Sequence, residues 1–370
     1  MRFHSLVTRI PENSLFRVRS FSSSIPLIFS SNLPSGTNTY IIGTSNPYTL
    51  IDTAEGRPEY IPILKVALTT TAQPLNPSLP DVSDIIISHW HHDHVDGLPS
   101  VLALLKQLFE ERNPGQKYNP PRLHKFPYDH STSGQHSAWS IPEIVAKLSL
   151  DTYLPSAKGD PFHELHDNQI LLHAGLRILH TPGHTTDSIC IHVPQDKALY
   201  SADTVLGEGT AVFEDLGEYL DSLQKMLDFD NASASGETAY TTVYPGHGPV
   251  VKDGKSLIKT YIQHRLDRES QIMKVLGNAP PTATGEATPS KDLSSEDNKN
   301  WTTWSLVSVI YAAYPESLWP AAANSVELHL RKLERDGVVR KVGGEIPRTE
   351  WEVLGDKAIE QMPVDRRSPL

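Results

Sequence analysis

The sequence predicts an α/β protein built as one large domain, residues 1–277, with a small C-terminal α+β module at 300–370 and a flexible linker at 278–299 between them. Three observations predict this. From Asn38 onward, strand patterns alternate with helix patterns. Asp84-Ile-Ile-Ile-Ser88 is a short strand with an unbroken apolar centre, and such strands are buried on both faces, so helices should cover its sheet. Residues 278–299 lack large apolar side chains except Leu293, which is the composition of a tether. A length of 370 residues fits one large domain or two, and a hydrophobic fraction of 38% suffices to bury a core.

The N-terminus carries Arg2, Arg9, Arg17 and Arg19, several serines and the single acid Glu12. The segment reads as a first strand over Leu15 to Phe21 after a turn at Pro11–Ser14; the alternative, which the composition suits, is a mitochondrial presequence. Thr39 to Ile42 and Tyr48 to Asp52 are predicted strands around a Gly43–Pro47 turn. Pro58 to Leu68 is a helix with Ile61, Leu64 and Leu68 on one face, and Pro99 to Glu111 is a second helix. Residues 113–162 are polar and proline-rich and read as an insertion. Its His124, His130 and His136 lack metal-site spacing and read as surface histidines. Strands resume at Gln169 to Leu172, Leu176 to His180, Ser188 to Val193 and Ala198 to Ser201, with a last one at Thr241 to Tyr244. Leu216 to Leu227 and Lys255 to Leu276 are helices. Trp301 to Val342 reads as two helices and a hairpin.

Composition excludes several function classes. No run approaches the roughly 18 apolar residues that cross a bilayer, which excludes an integral membrane protein. The single cysteine, Cys190, excludes an internal disulfide and any thiolate-rich metal site, and suits a reducing compartment, the cytoplasm or the mitochondrial matrix. A net charge of −11 repels nucleic acid unless basic residues cluster. The 17 histidines stand out, because imidazole is the commonest metal ligand.

They concentrate in Ser88-His89-Trp90-His91-His92-Asp93-His94, directly after the buried strand. At this spacing His89 and His91 point to one side of the turn and Asp93 and His94 to the other. That arrangement suits two adjacent metal ions, and zinc accepts such a mixture of nitrogen and oxygen donors. Three distant residues repeat one design, a strand feeding a loop that carries a ligand: His184 in Thr-Pro-Gly-His-Thr, Asp203 in Ser-Ala-Asp-Thr, and His247 in Tyr-Pro-Gly-His-Gly-Pro. Loops on rigid scaffolds are where active sites sit.

Taken in order, Leu50-Ile51-Asp52-Thr53, the HxHxDH run, His184, Asp203 and His247 resemble the metallo-beta-lactamase superfamily over roughly residues 5–276. The resemblance implies an αββα metallo-beta-lactamase sandwich with the metals at one edge. It also implies two Zn2+ ions, one held by His89, His91 and His184, the other by Asp93, His94 and His247, with Asp203 bridging. Leu206–Leu216, Tyr244–Val250 and the long helix with His264-Arg265 are similar to the beta-lactamase-like protein 2 group, and the C-terminal module resembles that group's winged-helix-like tail. That group implies a zinc-bound hydroxide acting either on single-stranded RNA, as an endoribonuclease, or on an acyl thioester, as a thioesterase releasing a product such as a polyketide from an acyl carrier protein. Asp203 stands where antibiotic-destroying relatives have cysteine, and Ala54 where the family often has glycine.

Other residues complete the reading. Asp93 orients the nucleophile and takes its proton. His92 faces away from the ligands, and His180 is a supporting or surface residue. Cys190 is a buried core thiol, and Asp52 supports a ligand from behind, because imidazole ligands need their outer nitrogens held. Lys274, Arg331, Lys332 and Arg335 read as a solvated helix face, with contact to phosphate the alternative. The acidic charge suits a neutral thioester, while the tail and the group favour RNA.

Overall fold

The computed structural model describes residues 7–9, 16–19, 36–71, 76–128, 141–172, 174–231, 238–280 and 300–355. His130, His136, most of the arginine-rich N-terminus and residues 281–299 of the expected linker lie outside these. The first sheet holds seven strands in sequence order: β1 Val7–Arg9, β2 Phe16–Arg19, β3 Asn38–Ile42, β4 Tyr48–Ile51, β5 Val82–Ile87, β6 Arg122–Lys125 and β7 Phe162–Glu164. From β1 to β4 neighbours run antiparallel; from β4 to β7 they run parallel. Parallel neighbours need crossovers. These carry α1 (Tyr60–Val66, extended by a wider turn over Ala67–Thr71), the short α2 (His92–Val95), α3 (Leu98–Arg112) and α4 (Ile141–Val145).

The second sheet has the order β12-β11-β10-β9-β8, from β8 Ile170–Leu171, β9 Leu176–His180, β10 Ile189–Val193, β11 Ala198–Ala202 and β12 Thr242–Pro245. Only β11 and β12 are parallel, and α5, Leu216–Asn231, makes their crossover. Side chains alternate across each strand. Tyr40, Ile42, Ile51 and Ile86 therefore meet Ile178, Ile189, Ile191 and Tyr200 of the second sheet. Their neighbours Ile41, Leu50, Ile85 and Ile87 pack on Leu64 of α1 and Leu98, Val101 and Leu105 of α3. On the far side of the second sheet, the Cys190 sulfur lies 3.9 Å from the Met226 sulfur of α5. The result is the four-layer αββα sandwich. Among the described residues, no helix is long and apolar enough to cross a membrane.

Four expectations need correction. Residues 113–162 are not wholly an insertion, because β6 lies inside the sheet and Leu123 is fully buried. The Arg-Leu-His-Lys strand has one apolar residue, so hydropathy hides it. His124 and Lys125 are buried with partners that neutralise them, while Arg122 stays partly exposed: Asp84 accepts from His124 Nε2 at 2.8 Å and from Arg122 Nε at 2.8 Å, and Lys125 pairs with Asp187. Burial opposes ionisation of Asp84, but the hydrogen bonds from His124 and Arg122 hold its carboxyl well below the usual range. His124 is thus a buried histidine, not a surface one.

The second compact unit runs from Lys259 to the C-terminus and includes Asp215–Gly217. The division falls inside α6, Gly254–Leu276, rather than after residue 277, because Ile272 and Leu276 join the core formed by Leu306, Val326, Leu330 and Trp351. That core is closed by α7 Thr303–Ile310, α8 Trp319–Arg335 and a three-stranded antiparallel sheet. Its strands are β13 Trp301–Thr302, β14 Val339–Gly343 and β15 Glu350–Val353, in the order β13-β15-β14. Thr302 caps α7 reciprocally with Ser305. Lys332 corrects the last of these expectations. It is buried, and its ammonium donates to Glu269 at 2.9 Å and Asp336 at 2.7 Å, whereas Lys274, Arg331 and Arg335 are exposed.

Candidate metal centre

The centre starts where β5 ends. Asp52, just past β4, is fully buried and takes the exit of β5 in its carboxylate: Oδ1 accepts Ser88 N–H at 2.8 Å and Oδ2 accepts the Ser88 hydroxyl at 2.8 Å. Asp52 has a φ of +59°, a left-handed conformation that Asp tolerates better than most residues. Ala54 also sits at +62°, which explains in backbone terms why glycine suits that place. Thr53 grips the turn from the other side, its N–H and hydroxyl donating to His94 O at 2.8 and 3.0 Å. The chain after Ser88 thereby turns at this rim, where the turn carries His89 and His91 and α2 carries Asp93 and His94. His184 lies in the loop between β9 and β10, Asp203 follows β11, and His247 follows β12.

The structure brings all seven residues together in two groups, His89, His91, His184 and Asp203 on one side and Asp93, His94 and His247 on the other. Within each group the donor atoms lie within 4.8 Å of one another. In the first group His89 Nε2 is 3.0 Å from His91 Nδ1, His184 Nε2 is 3.0 Å from His91 Nδ1, and the two Nε2 atoms are 3.2 Å apart. A tetrahedral zinc with Zn–N distances of about 2.0–2.1 Å separates its ligands by about 3.3–3.4 Å, close to this triangle.

The outer nitrogens decide which way the lone pairs point. His184 Nδ1 lies 2.6 Å from Val212 O, and a carbonyl only accepts, so the proton sits on Nδ1 and Nε2 faces inward with its lone pair. The Ser88 hydroxyl gives its proton to Asp52, so it accepts from His89 Nδ1 at 3.0 Å, and His89 Nε2 is likewise left as a lone pair. His94 Nδ1 donates to Asp52 Oδ2 at 2.7 Å. Burial, aided by neighbouring imidazoles, holds His89 well below its usual range and pushes His91 down to about 3.

The second group has the opposite electrostatics. Burial opposes protonation, yet Asp93, Asp203 and Asp52 raise His94 well above its usual range, and Asp203 and Asp93 raise His247 to about 10. His247 Nε2 is 3.1 Å from both Asp203 Oδ2 and Asp93 Oδ2. His94 Nε2 and Asp203 Oδ1 are buried without a hydrogen-bond partner and face each other across 3.4 Å. Two converging carboxylates and orphaned buried donor atoms fit metal cations. Thr37 Oγ1 donates to Asp93 Oδ2 at 3.0 Å, and a Cβ on Gly246 would meet Asp203 Oδ1 at 2.3 Å, so only glycine leaves room there.

The remaining candidates separate cleanly. His92 turns away, its Nε2 3.9 Å from Glu55. His180 stacks on Phe126 at 3.9 Å and donates to Thr186 O at 2.9 Å. Cys190 is fully buried, its thiol pushed up to about 11 by burial. Thr37, Ser88 and Tyr200, whose hydroxyl donates to Asp52, were not foreseen; single hydroxyl residues carry no spacing signal. The strap from Leu206 to Glu214 spans from one metal group to the other. Gly207 N–H donates to His247 O at 2.9 Å and Glu214 N–H to Gly183 O at 2.7 Å. A cavity of about 790 Å³ lies elsewhere, between the sheets at β6–β8, and none of the seven residues lines it.

The chain is similar to known proteins in sequence and in fold. Residues 33–247 match the metallo-beta-lactamase superfamily and residues 302–351 the beta-lactamase associated winged helix domain. The beta-lactamase-like protein 2 homolog of Drosophila melanogaster is 35% identical over 308 residues, covering 82% of this chain and 84% of the relative. That of Caenorhabditis elegans is 32% identical over 311 residues, covering 82% and 80%. A lactamase-like protein of Aspergillus niger is 29% identical over 330 residues, covering 87% and 82%. Two solved structures share the fold: a beta-lactamase domain protein from Burkholderia ambifaria (TM-score 0.58, 15% identity, covering 94% of this chain and 93% of that one) and a metallo-beta-lactamase family protein from Thermus thermophilus (0.55, 19%, covering 92% and 98%).

Proposed function

The chain belongs to the metallo-beta-lactamase superfamily and is therefore a metal-dependent hydrolase; from that premise we propose that it is a dinuclear zinc enzyme that cleaves single-stranded RNA. The observation that carries the dinuclear reading is the pairing of two ligand groups around Asp203, whose Oδ2 is 3.1 Å from His247 Nε2 and 3.7 Å from His184 Nε2. His89, His91 and His184 would hold one zinc and Asp93, His94 and His247 the other, with Asp203 reaching both. When bound, zinc supplies a Lewis acid and lowers the pKa of water to about 7, and imidazole with carboxylate is a donor set it accepts.

The chain's own residues do the rest. Asp93, its Oδ2 tethered by Thr37, orients the attacking water and takes its proton. Asp52 holds the His94 ring through Nδ1. Asp93→Ala is expected to lower turnover by about 10²–10⁴, the range for a lost general base; turnover within tenfold of the unsubstituted enzyme would remove Asp93 from this role. RNA as substrate is what the sequence's resemblance to the beta-lactamase-like protein 2 group implies, and the identity to that group's homologs supports the resemblance.

One observation favours a second reading, hydrolysis of an acyl thioester. The exposed charged side chains of the strap over Leu206–Glu214 are Glu208 and Glu214, with no lysine or arginine among them, and the chain carries a net charge of −11. Phosphate backbones prefer clustered cations. Parallel single-turnover assays on single-stranded RNA and on an acyl thioester decide between them. Thioester turnover without RNA cleavage, at saturating zinc, would replace the first reading with the second.

A further inference from the structure

Lys125 and Asp187 form an ion pair inside the protein, 5% and 0% exposed, and the chemistry outlined above does not use either. Lys125 closes β6, and Asp187 sits three residues after His184. A buried pair of this kind costs desolvation, and replacing it with apolar residues is often neutral or stabilising, so stability alone is a weak account of it.

Its surroundings suggest another account. Asp187 Oδ1 accepts the Thr185 hydroxyl at 2.7 Å, and the Thr185 and Ser188 hydroxyls are 2.6 Å apart. Thr185 N–H donates to Ser188 Oγ at 3.1 Å, and Gly183 N–H donates to Thr185 O at 3.1 Å. The residues on both sides of His184 are therefore tied to Asp187, and Asp187 is tied to the sheet by Lys125. On its other side Lys125 Nζ lies 5.9 Å from the centre of the Tyr128 ring. Tyr128 is 6.0 Å from Trp90, and Trp90 packs edge-on against His91 at 4.5 Å. One ammonium group thus braces the loop of His184 and the aromatic backing of His91. Neither path leads to Asp93, His94 or His247.

We propose that Lys125 and Asp187 are a positioning pair that holds His184 and His91 at the spacing required by the first metal ion, so that the pair governs occupancy of that ion and leaves the second to the Asp52–His94 support. The charge matters as well as the tether. An ammonium paired in place adds no net charge beside an incoming cation, whereas an unpaired Lys125 or Asp187 would change the field there. This inference rests on His89, His91 and His184 being metal ligands.

The experiment measures zinc affinity of the full-length protein by competition with a chromophoric chelator, alongside thermal melting of the same samples. The unsubstituted protein is titrated first. No zinc uptake there overturns the ligand assignment itself, a result distinct from any effect of the pair. With two equivalents bound, Lys125→Met is expected to weaken one equivalent by about 10–100-fold, the range for loss of an outer support, and to leave the other in place. Lys125→Arg, which keeps charge and donors, should recover most of that loss. A folded Lys125→Met that binds both equivalents as the unsubstituted protein does would overturn the proposal. So would equal weakening of both, which marks general loosening. If Lys125→Met does not fold, Lys125→Met with Asp187→Asn leaves no unpaired buried charge and carries the same comparison: one weakened equivalent supports the pair, and unchanged binding overturns it.

Discussion

Asp52→Asn is the sharpest test of how the second ligand group is held. Four donors converge on this buried carboxylate: Ser88 N–H on Oδ1, and the Ser88 hydroxyl, His94 Nδ1–H and the Tyr200 hydroxyl on Oδ2. Asparagine fits the space and tolerates the φ of +59°. Its amide oxygen can replace Oδ2 and keep three donors, but the NH2 then faces Ser88 N–H at the 2.8 Å position. An orphaned buried donor costs about 1–3 kcal/mol, and loss of charge weakens the three retained bonds, which are about twice as strong as neutral ones. The expected loss is about 3–4 kcal/mol of folding stability, above the usual single-substitution cost. Zinc affinity should fall by about 10–100-fold, because the bond that anchors the His94 ring loses its charge. Chemical denaturation of the zinc-free protein and a zinc titration measure the two effects separately. A variant within about 0.5 kcal/mol of the parent, with unchanged affinity, would refute this account of Asp52.

Three more outcomes follow from other contacts. Gly246→Ala drives a methyl to within 2.3 Å of Asp203 Oδ1, so zinc content by elemental analysis should drop below the parent's, and full retention would show that the loop yields freely. Cys190 stays neutral in the native state up to about 11 while the unfolded thiol ionises near 9.0; its contribution is therefore complete below pH 9 and lost as pH rises from 9 to 11, by about 2–3 kcal/mol. Cys190→Ala should cost about 1–2 kcal/mol at pH 8 with turnover unchanged, and its denaturation curves at pH 8 and pH 10.5 should differ less than the parent's; parallel shifts in both proteins would contradict the assignment. In the second unit, Lys332→Met strands the buried Glu269 carboxylate and should cost about 3–5 kcal/mol, read by melting; a smaller loss than about 1 kcal/mol would mean that Glu269 finds another partner.

The local chain by itself determined the elements whose signal is carried by neighbours in sequence. Ile85, Ile86 and Ile87 announce a buried strand because their apolar side chains cannot be satisfied by water, and α3 declares its face through leucines at helical spacing. His89, His91, Asp93 and His94 are legible because they are contiguous, and the strand-then-loop design around His184, Asp203 and His247 repeats recognisably. Tertiary structure alone decided the rest. β6 is unreadable because His124 and Lys125 enter the interior only with Asp84 and Asp187 to neutralise them, and those partners come from other strands and loops. Lys332 reads as solvated for the same reason, until Glu269 of another helix meets it. The cost of burying a charge depends on what the fold brings to it, and a partner tens of residues away leaves no trace in the local pattern. The same holds for the metal groups: which nitrogen of His89 or His184 faces inward is set by Ser88 and by Val212 O, contacts made only when β5, the β9–β10 loop and the strap meet at one rim.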